Sequence, residues 1–234
     1  MSALLELRDV DAGYGPFRAL FDVSLAVPDH GVVALLGANG AGKTTVARVS
    51  SGLVCPTAGA VVFDGDDLTG QPVHRFARAG IVHAPEGRSV FASLTVEENL
   101  TLAFRRTLGR GGVGEALERA YTMFPRLRER RQQLGGLLSG GEQRMLALAR
   151  VLADPPRLLV ADELSLGLAP IVVEDVYRTL GAVRDAGTTI LLVEQYVRHA
   201  LALADDVVVL TKGEITLAGP VNELGDVAER LLPS

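Results

Sequence analysis

The chain has one cysteine, no tryptophan and only two lysines, Lys43 and Lys212, in 234 residues. A lone Cys55 makes no internal disulfide, which fits a reducing cytoplasm, and nothing around it marks a catalytic thiol. The four histidines lack ligand spacing, so no zinc site is expected. Apolar stretches all fall short of the ~20 residues that span a bilayer, and the opening MSALLELRDVD lacks a secretory apolar core. Any membrane contact is therefore expected through partner proteins. Basic residues crowd together only in Arg126-Leu127-Arg128-Glu129-Arg130-Arg131, which reads more simply as a solvated helix face than as a binding patch. With a net charge of −5, general affinity for nucleic acid is not expected.

What is present is a substantial apolar fraction, 48%, enough to fill the core of one large α/β domain, with or without a small inserted subdomain. Residues Gly37 to Thr44, GANGAGKT, fit the pattern G-x-x-x-x-G-K-[ST]. Glycines there let consecutive backbone N–H groups curl around a phosphate chain, Lys43 neutralises the outer phosphates, and the Thr44 hydroxyl is placed for Mg²⁺. The context agrees: Val32-Val33-Ala34-Leu35-Leu36 before it reads as a buried strand, and Thr45-Val46-Ala47-Arg48-Val49 after it as a helix start. A glycine-rich turn with an incidental lysine is the alternative, and it is weak in a chain so poor in lysine.

Along the chain, Leu4 to Val10, Phe21 to Val27 and Ala60 to Phe63 read as strands of a small antiparallel layer. Ile81 to Ala84 is a further short strand. Thr95-Val96-Glu97-Glu98 is a capping-box pattern opening a helix to about Phe104, followed by a loop over Gly109 to Gly114 and a second helix over Glu115 to Phe124. A helical insert is thus expected from about residue 93, with the helical subdomain reaching about 150. Then come a helix over about Gly141 to Ala153, a strand over Arg157 to Ala161, a helix over about Ile171 to Ala186, and strands over Thr188 to Val193 and Val207 to Leu210. This alternation implies a mostly parallel sheet whose ligand lies at the carboxyl ends of its strands. At one such end stand Asp162 and Glu163. The pattern assigns Asp162 to the metal held by Thr44 and Glu163 to the general base that polarises an attacking water.

With LSGGEQ from Leu138 to Gln143 added, the chain resembles the ATP-binding subunit of an ABC transporter from its N-terminus to about residue 220. The resemblance implies the P-loop nucleotide-binding fold, with an antiparallel β-subdomain and a helical insert. It also implies ATP and Mg²⁺ as ligands. Residues Gly37, Ala38, Asn39, Gly40, Ala41, Gly42, Lys43, Thr44 and Thr45 are then expected on the nucleotide, with Tyr14 stacked on adenine. Ser139, Gly140, Gly141 and Glu142 would cap the γ-phosphate bound by the other subunit of a head-to-tail dimer, where a helix N-terminus suits an anion.

Three departures narrow the resemblance. Glu86, in Ala84-Pro85-Glu86-Gly87-Arg88, stands where glutamine is usual; Gln195, in Val193-Glu194-Gln195, stands where the switch histidine is usual; and Ser165-Leu166-Gly167-Leu168-Ala169-Pro170 lacks the usual aspartate. Together they resemble the ATPases of branched-chain amino acid importers, with relatives carrying urea, amides or other amino acids sharing much of the pattern. Gln195 retains a donor for a γ-phosphate, and Glu86 adds a negative charge near the expected Mg²⁺, so both join Glu163 as expected catalytic residues and Glu86 joins Thr44 and Asp162 as an expected metal residue. The implied partners are a second ATP-binding subunit, transmembrane permeases at the cytoplasmic face of the membrane and, indirectly, a solute-binding protein. A soluble ABC ATPase of translation or DNA repair usually carries two fused cassettes or a long coiled coil, and this chain has neither. No N-K-x-D motif supports a P-loop GTPase.

Overall fold

The computed structural model describes residues 2–85, 90–109, 111–152, 155–224 and 226. Glu86, expected near the metal, lies outside the described residues. The chain divides into two compact units, one formed by residues 1–83, 157–163 and 184–234, the other by 84–156 and 164–183.

The first unit carries two sheets. Strands β1 (Ala3–Tyr14), β2 (Phe17–Pro28), β4 (Ala58–Phe63) and β5 (Asp66–Asp67) form an antiparallel sheet in the order β2-β1-β4-β5. β1 and β2 bend where Asp9 and Asp22 take positive φ at shifts in register, and polar side chains stitch those bends. The Asp9 N–H donates to Ser24 Oγ at 2.9 Å, and the Asp22 N–H to Asp11 Oδ1 at 3.0 Å. The second sheet joins β3 (Val32–Leu36), β6 (Ile81–Ala84), β7 (Leu158–Asp162), β8 (Thr189–Glu194), β9 (Asp206–Thr211) and β10 (Glu214–Pro220) in the order β10-β9-β3-β8-β7-β6. Its central strands are buried along their whole length, as near-continuous runs such as VVALL and TILLVE require. β9, β3, β8 and β7 run parallel, and β10 closes the edge antiparallel to β9.

Helix α1 (Lys43–Ser50) packs Val46, Ala47 and Val49 into a core shared with Leu5, Leu7, Val33, Leu35, Val160, Leu191 and Val208. The expected helix start at Thr45 moves back to Lys43, because the loop glycine Gly42 serves as N-cap in the left-handed region. Helices α2 (Val73–Ala79) and α8 (Val197–Leu203), and the edge strand β10, complete this unit. None of the three is marked by a strong period in the sequence.

The second unit is helical: α3 (Val96–Leu108), α4 (Val113–Met123), α5 (Pro125–Glu129), α6 (Gly140–Leu152) and most of α7 (Pro170–Asp185). α3 opens with the expected capping box: the Glu98 N–H donates to Thr95 Oγ1 at 3.1 Å and the Thr95 N–H to Glu98 Oε2 at 2.7 Å. It continues a turn past Phe104, through exposed Arg105 and Arg106, to Leu108. α4 likewise begins at Val113, inside the loop expected over 109–114. The basic run falls on α5 and just after it, anchored by buried Leu127; Arg128 pairs with Glu118 at 2.5 Å and Arg130 with Glu142 at 2.6 Å.

Asn99 on α3 is wholly buried. Its Oδ1 accepts from the Phe91 N–H at 2.8 Å, and its Nδ2 donates to Phe91 O at 3.0 Å, Leu94 O at 3.2 Å and Thr95 O at 2.9 Å. That one amide cross-links the backbone leading into the helix: its two N–H groups are shared among three carbonyls that also accept from the Leu94, Gly135 and Asn99 N–H groups, so truncation chiefly takes the acceptor from the Phe91 N–H and empties a buried site. Asn99→Ala is expected to lower unfolding free energy by about 1–3 kcal/mol in denaturant titrations. A loss below about 0.5 kcal/mol would show that the loop satisfies itself.

Candidate functional site

The carboxyl ends of β3, β8 and β7 stand level. Leu36 pairs with Glu194 and Val193 with Asp162, so the loops after these strands leave one edge of the sheet together. After β3, Gly37 is buried and Ala38, Asn39 and Gly40 form an exposed tip. A Cβ on Gly37 would lie 2.5 Å from Leu210 O, and one on Gly42 would lie 2.8 Å from Ala19 O at φ +108, so both positions require glycine. The Ala41 N–H donates to Ala38 O and the Gly213 N–H to Ala41 O, closing the loop on the sheet. Thr45, in the first turn of α1, is buried beneath it.

Lys43 is 3% exposed, and its ammonium finds three acceptors. Nζ donates to Gly37 O at 2.9 Å and Ala38 O at 3.3 Å and pairs with Glu163 Oε1 at 3.1 Å. An ammonium has three donors, so the set is complete. The sequence places Lys43 on phosphates and Glu163 on water as separate tasks; the structure brings the two side chains into direct contact.

Glu163 is the residue after β7 and takes φ +47, a left-handed conformation costing about 1–3 kcal/mol outside glycine. Its N–H still donates to Val193 O at 2.8 Å, so the strand ladder holds the turn that redirects its side chain. Asp162, fully buried, receives the Thr44 hydroxyl on Oδ1 at 3.4 Å and faces His83 Nε2 across 3.6 Å from Oδ2. Among the described residues no group of three or more His, Cys, Asp or Glu side chains is gathered for a metal. A carboxylate and a hydroxyl side by side are instead the sparse oxygen set with which Mg²⁺ is held jointly with substrate phosphates. The residues present fit that ion.

Gln195 follows β8 and is exposed; its N–H donates to Glu194 Oε2 at 3.3 Å. Tyr14, at the end of β1, is exposed, and Arg48 of α1 donates to its hydroxyl at 3.1 Å with the guanidinium 5.8 Å from the ring centroid. Two residues at these strand ends carry no motif in the sequence: buried Glu194, and His83 inside β6, whose side chain is mostly covered. A lone histidine in the apolar run Ile81 to Ala84 was the available signal.

In the second unit, α6 begins at Gly140, and exposed Ser139 precedes it. The Ser139 N–H and hydroxyl both donate to Glu142 Oε2, at 2.9 and 2.8 Å, while the Glu142 N–H donates to Ser139 Oγ at 3.3 Å. Gly141 has no room for a side chain without pressing Val172 of α7, since a Cβ would lie 3.0 Å from both its methyls. Gln143 Nε2 donates to Gly135 O at 2.9 Å, and the Gly135 N–H to Leu94 O at 2.8 Å, which ties this helix start to the loop that Asn99 holds.

A family model described as ABC transporter matches residues 20–165, more than half of the chain. The chain belongs to the ABC transporter family. This ABC ATPase is 41% identical over 214 residues to the high-affinity branched-chain amino acid transport ATP-binding protein BraG of Pseudomonas aeruginosa, covering 92% of this chain and 91% of that protein. It is 36% identical over 222 residues to the probable branched-chain amino acid transport ATP-binding protein LivF of Archaeoglobus fulgidus, with 94% of each covered. It is also 34% identical over 226 residues to the lipopolysaccharide export system ATP-binding protein LptB of Escherichia coli, covering 95% and 92%. Among solved structures, an ATP-binding subunit of an ABC transporter superposes with TM-score 0.84 at 27% identity, covering 99% of this chain and 95% of that one. The ADP conformation of an ATP-binding cassette superposes with TM-score 0.83 at 25% identity, covering 97% and 94%. No described helix of the ABC ATPase is long and apolar enough to cross a membrane.

Burial of Glu142 opposes its ionisation, but the Ser139 N–H and hydroxyl and the Arg130 guanidinium outweigh burial and hold its carboxyl below the usual 4.5. A depressed folded value means the charge stabilises this helix start above the ordinary carboxylate range, and that contribution disappears as pH falls through the lowered value. Carboxyl-carbon NMR titration of the wild type is expected to give a midpoint below 4.5, with Arg130→Ala moving it upward. A wild-type midpoint at or above 4.5 would contradict the geometry.

Proposed function

We propose that the chain is the ATP-binding and ATP-hydrolysing subunit of an importer for branched-chain amino acids. The observation that carries the chemistry is the buried Lys43 ammonium, seated in a glycine loop beside the Asp162-Glu163 strand end. The triphosphate lies along the backbone N–H groups of residues 37–45, with Tyr14 against adenine and Gln195 donating toward the γ-phosphate. An anionic phosphate competes with Glu163 for Lys43, and as the ammonium turns to it the Glu163 carboxylate becomes available to accept a proton from water. Thr44 and Asp162 hold Mg²⁺, which when bound neutralises charge on the phosphate oxygens. The sequence adds Glu86 to that neighbourhood.

The second half of the site is supplied by another ATP-binding subunit, identical or related, whose Ser139, Gly140, Gly141 and Glu142 close over the γ-phosphate. The exposed Ser139 at the head of α6 supports this, since its N-terminal amides face an anion favourably. The whole chain is then one ATP-binding domain whose residues 93–150 form the helical subdomain, docked on permeases at the cytoplasmic membrane face and served by a solute-binding protein. Branched-chain amino acids are favoured over lipopolysaccharide export by the higher identity to BraG and by the Pro85-Glu86-Gly87-Arg88 and Val193-Glu194-Gln195 sequences.

Glu163→Gln removes the base while leaving Lys43 free for phosphate. ATP binding is expected to persist, with phosphate release down about 10²- to 10⁴-fold. In cells deprived of this chain, leucine, isoleucine and valine uptake should fall, return with the wild type and not return with Glu163→Gln. Near-normal turnover of the variant would remove Glu163 as the base, and unchanged uptake without the chain would overturn the cargo.

A further inference from the structure

His83 occupies a position in β6 where its neighbours Ile81, Val82 and Ala84 are all apolar, and its side chain is only 9% exposed. A polar ring buried on a strand costs free energy unless its nitrogens are used. One of them is. Ser51 Oγ donates its proton to Ala47 O at 2.8 Å, so toward His83 Nδ1, 3.2 Å away, the serine oxygen acts as acceptor. Nδ1 therefore carries the ring proton, and in the neutral tautomer Nε2 presents a bare lone pair.

That lone pair has no hydrogen-bond partner and is buried. What it faces is Asp162 Oδ2, 3.6 Å away, beyond hydrogen-bond range. Two electron-rich atoms opposed across this gap repel unless positive charge stands against both. With ligand bonds of about 2.1 Å, a cation touching both atoms would see them at an angle of roughly 118°, and closure of the gap by about 0.6 Å would bring that near 90°. The approach fits one coordination sphere with little movement.

We propose that His83 Nε2 is a nitrogen ligand of the divalent cation that Asp162 and Thr44 hold beside the nucleotide. The proposal rests on reading Asp162 and Thr44 as the cation site. An imidazole changes what that site prefers: nitrogen donors favour Mn²⁺ and Co²⁺ over Mg²⁺, which is bound best by oxygen alone. The chain would then hydrolyse ATP with a transition-metal preference that an apolar residue at position 83 would not confer.

Pulsed EPR of the full chain loaded with Mn²⁺ and ATP separates the possibilities. The expected spectrum shows phosphorus couplings from the nucleotide and a nitrogen coupling that changes when the protein is labelled with ¹⁵N-histidine. In His83→Leu the nitrogen coupling disappears, the phosphorus couplings remain, and Mn²⁺ affinity of the nucleotide complex falls about tenfold while Mg²⁺ affinity changes far less. Phosphorus couplings without a histidine nitrogen coupling in the wild type would overturn the ligand and leave the nucleotide site standing; His83 would then be an ion-pair partner of Asp162. A histidine coupling that survives in His83→Leu would also overturn it. Absence of both couplings in the wild type would remove the cation–nucleotide site itself, and this inference with it. The labelled wild type decides the question even where His83→Leu folds poorly.

Discussion

Burying an ammonium costs several kcal/mol unless every donor is answered, and the Lys43 ammonium is answered by two carbonyls of its own loop and by Glu163. That requirement ties together features far apart in sequence. The loop must curl so that Gly37 and Ala38 present their carbonyls inward, which excludes a Cβ at Gly37 and at Gly42. β7 must end where Glu163 reaches across, and Glu163 must leave the strand in a left-handed turn to do so. In the proposed mechanism the same contact holds Glu163 against the lysine until an anion draws the ammonium away, which links substrate arrival to the base.

The register of the parallel strands sets the rest. With Val193 opposite Asp162 and Glu194 opposite Leu36, the ends of β7, β8 and β3 come level. A one-residue slip of β7 would exchange the directions of Asp162 and Glu163, turning the carboxylate beside Thr44 toward the wrong face. The apolar packing of Leu158, Val160, Leu191 and Val193 fixes that register, so the core specifies the site's geometry as much as its stability.

The buried strands and the capped helix were legible in the chain because their chemistry is local. Five apolar residues ahead of a glycine loop have few places to go but a sheet interior, and Thr95 with Glu98 satisfies two helix-end N–H groups whatever lies around them. Helices α2 and α8 were not legible: seven residues with one buried side chain in α2, or three in α8, give too short a period to read. β10 has a weak sequence signal because it is an edge strand whose apolar residues Ile215 and Leu217 are only half-buried. In the site, the motif named Lys43, Thr44, Asp162 and Glu163, but not that Lys43 and Glu163 touch or that His83 faces Asp162. Those contacts depend on which strands become neighbours, and the order β3-β8-β7-β6 is set by the packing of the whole sheet.

The helix start at Ser139 is built with similar economy, its own hydroxyl and amide tied to Glu142 and that carboxylate tied in turn to Arg130. It is an exposed helix terminus that belongs to a different compact unit from the lysine loop. In the proposed mechanism catalysis nevertheless begins with Lys43 meeting the triphosphate. Calorimetric titration of ATP into the wild type and Lys43→Ala tests this most directly. Loss of a charge-assisted contact predicts affinity weaker by about 10- to 100-fold in the variant; equal affinity in the two proteins would contradict it.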